Sequence, residues 1–192
     1  MCKKLITAVF TVFLFFISIT AVSALDEVGS ITVNLEEGKK GTSVKNVELE
    51  LIKIADIING QYLLINDLQD IEIDLNTLET AEDMKNAAYT ISKITVSKNI
   101  VGTRKTTNDY GTVKFDQLEK GVYLLQAKDI NKYENIVSTL ISVPVFNNES
   151  KNSMNYDISI VPKHSPVIAV KTGDAFDLKL FAVLAGVSAV II

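Results

Sequence analysis

Through the middle of this chain, apolar side chains return at every second position. Ile31, Val33 and Leu35 alternate with Thr32 and Asn34, and Val47, Leu49 and Leu51 alternate with Glu48 and Glu50. Val113 and Phe115 alternate with Thr112, Lys114 and Asp116. A period of two sends one set of side chains into a core and the other into water, so these segments read as half-buried strands. Gly60-Gln61 leads into Tyr62–Ile65, Asn108-Asp109-Tyr110-Gly111 is a turn cluster, and Lys120-Gly121 turns the chain into Val122–Leu125. Thr139 to Val145 and Tyr156 to Val161 bring the count to about seven strands. Pro144 has no N–H to donate to a ladder, which places its strand at a sheet edge.

One segment breaks the alternation. Leu78, Ala81, Met84, Lys85, Ala88 and Ile91 recur at helical spacing, with Thr77-Leu78-Glu79-Thr80 supplying capping residues, and a helix is expected from Thr77 to Lys93. The fold class is therefore mainly β, a sandwich or barrel of short strands with one inserted helix.

The two ends differ from this middle. Lys3 and Lys4 precede an uncharged run from Leu5 to Ala24 that closes on Ala21-Val22-Ser23-Ala24. A basic start, an apolar stretch and a small-residue exit make up a secretory signal peptide, with cleavage after Ala24. An uncleaved anchor is the other reading, because the run is long enough to span a membrane. Cleavage would remove Cys2, the one cysteine, so an exported fold would have to hold without disulfides. At the other end an apolar tail, Leu178 to Ile192, is interrupted only by Lys179. Its apolar residues occupy every face rather than one stripe, which favours a membrane tail over a helix packed on the domain. At 15 residues it is short of the ~20 that a free-standing span needs.

Composition narrows the functional classes. Nineteen basic against 23 acidic residues give a net charge of −4, which argues against a nucleic-acid binder, since phosphate contacts need a basic surface. One Cys and one His exclude a Cys/His zinc site within one chain and disfavour a Cys–His catalytic pair. His164 lies in a polar, Pro-flanked stretch and reads as a solvated linker residue. Asp70, Glu72 and Asp74 read as the solvated face of one strand rather than an acid–base pair. No catalytic residue, metal ligand or cofactor is expected.

The most specific motifs lie near the C-terminus. Lys171-Thr172-Gly173-Asp174 ahead of the apolar tail resembles the sorting signal of Gram-positive surface proteins, with Ala169-Val170 where such signals usually read Leu-Pro. Asn155-Tyr156-Asp157-Ile158-Ser159-Ile160-Val161-Pro162-Lys163 resembles the closing strand of the N-terminal pilin domain of that group, with Val161 in place of the usual Tyr. Thr106–Leu118 followed by Gly121–Leu125 is similar to the core of prealbumin-like, collagen-adhesin B-type domains. The resemblance runs from Ser30 to Asp174. It implies a prealbumin-like or Ig-like β-sandwich in an exported protein of the cell wall or cell surface. The expected organisation is a signal peptide at 1–24, a pilin-like domain at 25–163, a linker and sorting motif at 164–174, and an apolar membrane tail at 175–192.

The resemblance also implies roles. A sortase would cut between Thr172, the acyl donor, and Gly173, the leaving amine, by thiolate attack. Lys163 is the candidate pilin-motif lysine that accepts the acyl group. In an extended strand the odd positions Asp157, Ser159, Val161 and Lys163 share a face opposite Tyr156, Ile158 and Ile160. The bulkier even set looks inward, so Lys163 should reach solvent. The expected partners are a sortase, other pilins or peptidoglycan, the membrane through the tail before processing, and a possible host ligand. Two functions stay open at this point: a pilin-like or minor pilus subunit attached by sortase, and a wall- or membrane-anchored adhesin that does not polymerise. Related domains often carry a Lys–Asn isopeptide bond promoted by a buried Glu. Here Ile31–Leu35 holds no Lys and Gln126-Ala127 stand where the Glu belongs, so no such bond is expected, with Lys53 and an unforeseen acid as the one alternative.

Overall fold

The computed structural model describes residues 27–39, 41–128, 133–146 and 153–165. The signal-peptide stretch with Ala24, the sorting motif with Thr172 and Gly173, and the tail at 175–192 lie outside them. Among the described residues no helix is long and apolar enough to cross a membrane.

Two sheets face each other. The smaller has β1 (Gly29–Asn34) at its centre, flanked by β5 (Thr112–Leu118) and β11 (Asp157–Ile160). β5 runs antiparallel to β1, while β11 runs parallel to it, with Ser30 opposite Asp157 and Val33 opposite Ile160. The larger sheet is built on the 11-residue β2 (Glu48–Ile58). Along one side β2 pairs first with β4 (Thr103–Thr106) and then with β3 (Gln61–Leu64); along the other it pairs with β6 (Gly121–Ala127). β8 (Thr139–Val143) closes that sheet next to β6, so the strand that runs into Pro144 is an edge strand, as the missing N–H requires. Four two-residue strands complete the described set: β7 (Asn135–Ile136), β9 (Val145–Phe146), β10 (Met154–Asn155) and β12 (His164–Ser165). β9 pairs with β10 and β7 with β12.

The side-chain period explains why the larger sheet has so few polar positions. Leu49, Leu51, Tyr123, Leu125, Ile141 and Val143 point between the sheets and meet Ile31, Val33, Phe115 and Ile158. Ile52, Ile54, Val122 and Leu124 point to the opposite face and form a second core with the helix. A strand covered on both faces reads as a continuous apolar run rather than an alternation, as Leu51-Ile52 and Leu124-Leu125 do.

The helix, α1 (Ala81–Ser97), starts and ends four residues later than the expected Thr77–Lys93. Thr80 is the N-cap. Its hydroxyl accepts from the Asp83 N–H at 3.1 Å, and the Asp83 carboxylate accepts from the Thr80 N–H at 3.1 Å, a reciprocal capping box. Thr77 instead ends a 3₁₀ turn, Leu75–Thr77, capped by Asp74 through the Asn76 N–H at 2.9 Å. The shift moves the buried stripe to Ala87, Ala88, Ile91 and Thr95, and leaves Met84 half exposed. Asp70, Glu72 and Asp74 lie in the irregular stretch around these turns, not along a strand, and Asp70 pairs with Lys98 at 2.5 Å.

Candidate functional site

Only one of the sequence-derived site residues falls within the described structure, and it sits at the end of β11. Along that strand Ile158 is buried and Ile160 half-buried, while Asp157 and Ser159 are exposed. The alternation continues past the strand: Val161 is exposed, Pro162 buried and Lys163 exposed. β1 and β11 run the same way, so Lys163 lies at the end of the sandwich where β1 finishes, opposite the end where Glu27 meets Tyr156.

Lys163 stands between two anchored neighbours. Pro162 packs inward with its φ held by the ring. On the other side β12 pairs with β7, His164 opposite Ile136, and the Val137 N–H donates to the Lys163 carbonyl at 2.9 Å. The amine is thus free in water while the backbone that carries it is held on both sides.

His164 is no solvated linker residue. Its side chain is 18% exposed, its ring stacks at a tilt on Tyr133 with centroids 5.3 Å apart, and its Nδ1 contacts the Glu134 carboxylate. Pairing of β12 with β7 draws it in, a tertiary contact that its polar, Pro-flanked neighbourhood does not reveal. Glu134 is itself buried, at 3% exposure. Its other oxygen accepts from the Lys39 N–H at 2.6 Å, which ties in the loop after β1. The bond from His164, then that from Lys39, hold the Glu134 carboxyl below the ordinary glutamate range against the opposing effect of burial. Tyr133 donates its hydroxyl to the Glu36 carbonyl at 2.5 Å, and burial, then the nearby Glu134 and Glu36, push its phenol up to about 12.

A second buried acid lies at the larger sheet. Glu50 is fully enclosed and accepts from Lys128 at 2.8 Å, Gln126 at 2.7 Å, Arg104 at 2.9 Å and the Gly102 N–H at 3.3 Å. Burial alone would raise its carboxyl; Lys128, Arg104, Gln126 and Gly102 together reverse that and hold it at about 2. A carboxylate held that low is a weak acceptor for the proton that an isopeptide-forming amine must lose. Lys53, the lysine left open for such a bond, pairs with Asp56 and Glu119 at 2.8 Å each. Those pairings hold its amine above the ordinary lysine value, against burial. Among the described residues no group of three or more His, Cys, Asp or Glu is placed to hold a metal ion.

Sequence reasoning missed Glu134 and Glu50. Glu50 carried a signal: it is an acidic residue inside an apolar stretch of a strand that is covered on both faces. Glu134 carried none, because its partners come from residues far away in sequence.

No protein-family model matches the chain, and no curated protein sequence matches it. Solved structures that resemble it include pilins. The full-length major pilin SpaD of Corynebacterium diphtheriae is 23% identical at a TM-score of 0.44, and the match covers 73% of this chain and 30% of that one. The T6 backbone pilin of serotype M6 Streptococcus pyogenes is 16% identical at a TM-score of 0.44, covering 74% of this chain and 30% of that one. A SpaA pilin–signal peptide complex of Corynebacterium diphtheriae is 22% identical at a TM-score of 0.38, covering 73% of this chain and 99% of that one. The chain thus spans about a third of the length of the full pilins it matches, and it resembles Gram-positive pilins at low identity and low structural overlap.

Proposed function

We propose that this protein is an exported, surface-attached pilin-like subunit joined to its neighbours by a sortase. The observation that carries the reading is the placement of Lys163, an exposed amine on a backbone held by a buried proline and a paired strand. Export is read from the stretch that ends at Ala24, and attachment from Thr172-Gly173 and the apolar tail. In the reaction, the sortase thiolate adds to the Thr172 carbonyl and the Thr172–Gly173 amide breaks. The Gly173 amine leaves with a proton, and a thioester remains. A deprotonated Lys163 amine of another subunit then attacks the thioester, forming an amide and releasing the thiol. A free lysine has a pKa of ~10.4, so the amine must give up its proton within the enzyme complex. This chain would supply both ends of the bond and no catalytic group.

Only nine positions separate Lys163 from Thr172, and an extended segment of that length reaches at most about 30 Å. Donor and acceptor therefore leave the same end of the domain, which suits a subunit at a base or tip better than a head-to-tail shaft repeat. The test is to express Lys163→Ala and Thr172→Ala in the producing cell and blot wall extracts. Thr172→Ala should abolish attachment, while Lys163→Ala should remove high-mass ladders and leave attachment intact. Ladders that survive Lys163→Ala would refute the assigned acceptor. A wall-held monomer without ladders in the unaltered protein is the outcome for a non-polymerising adhesin.

A further inference from the structure

We infer that Glu134 is a positioning residue for the Lys163 amine: its buried carboxylate clasps His164 and the loop after β1, and so fixes the backbone on which Lys163 is presented. The inference rests on the reading of Lys163 as acceptor. It starts from the contrast between an exposed target and a buried acid that grips the next residue in the chain, His164.

Three chain segments meet at Glu134. Its two oxygens divide between His164 Nδ1 and the Lys39 N–H, so one carboxylate joins β12 to the 35–39 loop. Gly38 lies against the same side chain, and a Cβ there would come within 2.9 Å of the Glu134 carboxyl carbon. Tyr133 adds a second tie to that loop through the Glu36 carbonyl and supports the His164 ring from the side. Backbone pairing alone contributes little here, since β12 and β7 are two residues each and so short a ladder is not stable by itself. Without the clasp, Lys163 would hang on a frayed strand end, and its amine would sample many positions. A transferase that must bring an amine onto a thioester gains rate from an acceptor already held in place.

Glu134 does not reach the reacting atoms. Lys163 and His164 point to opposite sides of the extended backbone, Lys163 outward and His164 inward. The acid acts through the main chain and is no general base for the amine.

The experiment uses the purified full chain with a pilus-type sortase in two separate reactions. In the acceptor reaction, a synthetic peptide carrying the Lys-Thr-Gly-Asp segment is the donor and joining to Lys163 is read by mass spectrometry. In the donor reaction, hydroxylamine captures the thioester formed at Thr172. Glu134→Ala should slow acceptor joining at least tenfold and leave hydroxylamine capture unchanged. Glu134→Gln, which keeps an oxygen for Lys39 and an amide for neutral His164, should return joining to within about threefold of the unaltered chain. His164→Ala, which leaves the Glu134–Lys39 bond in place, should also slow joining. Amide exchange at Val137 should quicken in Glu134→Ala while exchange at Leu124 stays protected, separating a loosened strand end from a lost fold. Joining at the unaltered rate in both Glu134→Ala and His164→Ala, with joining abolished in Lys163→Ala, overturns the positioning role and leaves the acceptor assignment standing. Joining that persists in Lys163→Ala overturns the acceptor assignment itself, and the inference with it.

Discussion

Replacing Glu50 by Gln removes one negative charge from a site where four donors converge, and the cost can be worked from the structure. Glu50 is fully enclosed, opposite Gln126 in the β2–β6 register, with Lys128 and Arg104 closing the sides. Its carboxyl is held at about 2 against an ordinary 4.5, which corresponds to about 3 kcal/mol favouring the charged form in the folded chain. The substitution keeps the shape but turns one acceptor into a donor that faces other donors, and it leaves two cations without their counter-charge. Breaking a buried pair from one side costs roughly 3–5 kcal/mol, and the partial exposure of Arg104 and Lys128 argues for the lower end. We therefore expect Glu50→Gln to lose about 3 kcal/mol at pH 7. The sign with pH follows from a depressed folded-state pKa: the stabilisation is complete above pH ~5 and is lost as pH falls through the value of the folded chain, near 2. At pH 3 the gap between the two proteins should narrow to about 1 kcal/mol. Urea denaturation at both pH values measures this, with an unchanged m-value confirming that the unfolded states are comparable. A gap below about 0.5 kcal/mol at pH 7, or one of equal size at pH 3 and pH 7, refutes the reasoning.

Three further outcomes are expected. Gly102→Ala should destabilise the β4–β2 pairing by about 1–3 kcal/mol in the same denaturation assay, because a Cβ there would lie 2.1 Å from the Leu51 carbonyl oxygen and neither backbone can give way easily. N-terminal sequencing of the protein taken from cells should read Leu-Asp-Glu-Val, starting at Leu25; an intact Met1 on surface-located protein would favour the anchor reading. Intact mass of the domain should show no loss of ammonia, since Glu50 is held charged by Lys128 and Arg104 and an isopeptide bond needs an acid that can take and return a proton; a missing ammonia would locate a bond that these contacts argue against.

The strands were legible because their signal is local. Ile31-Thr32-Val33 and Val113-Lys114-Phe115 announce one buried and one wet face, and both are central or flanking strands of the smaller sheet. Exposure of Lys163 followed from the same parity, carried six residues from Asp157. What stayed hidden depends on partners distant in the chain. β4 (Thr103–Thr106) has no apolar face of its own and is a strand because β2 offers it a ladder. The helix is capped at Thr80 and starts at Ala81 rather than Thr77 because both threonines can cap, and Asp74 claims Thr77 for a 3₁₀ turn. His164 and Glu134 look like ordinary polar residues until β12 meets β7, thirty positions upstream.

The parallel pairing of β1 with β11 decides how the domain meets mechanical tension. Pulled between Glu27 and Ser165, the two strands would slide past each other, and the bonds from Ser30–Asp157 to Val33–Ile160 would share the strain together rather than open one by one. Tension between Lys163 and a joint at Thr172 takes another route. It would run along the nine positions from Lys163 to Thr172 rather than across the β1–β11 pair, beginning just before β12, which pairs with β7. If Lys163 and Thr172 are the two joints, the β-domain is a pendant beside the line of force and its two packed cores carry little of the load.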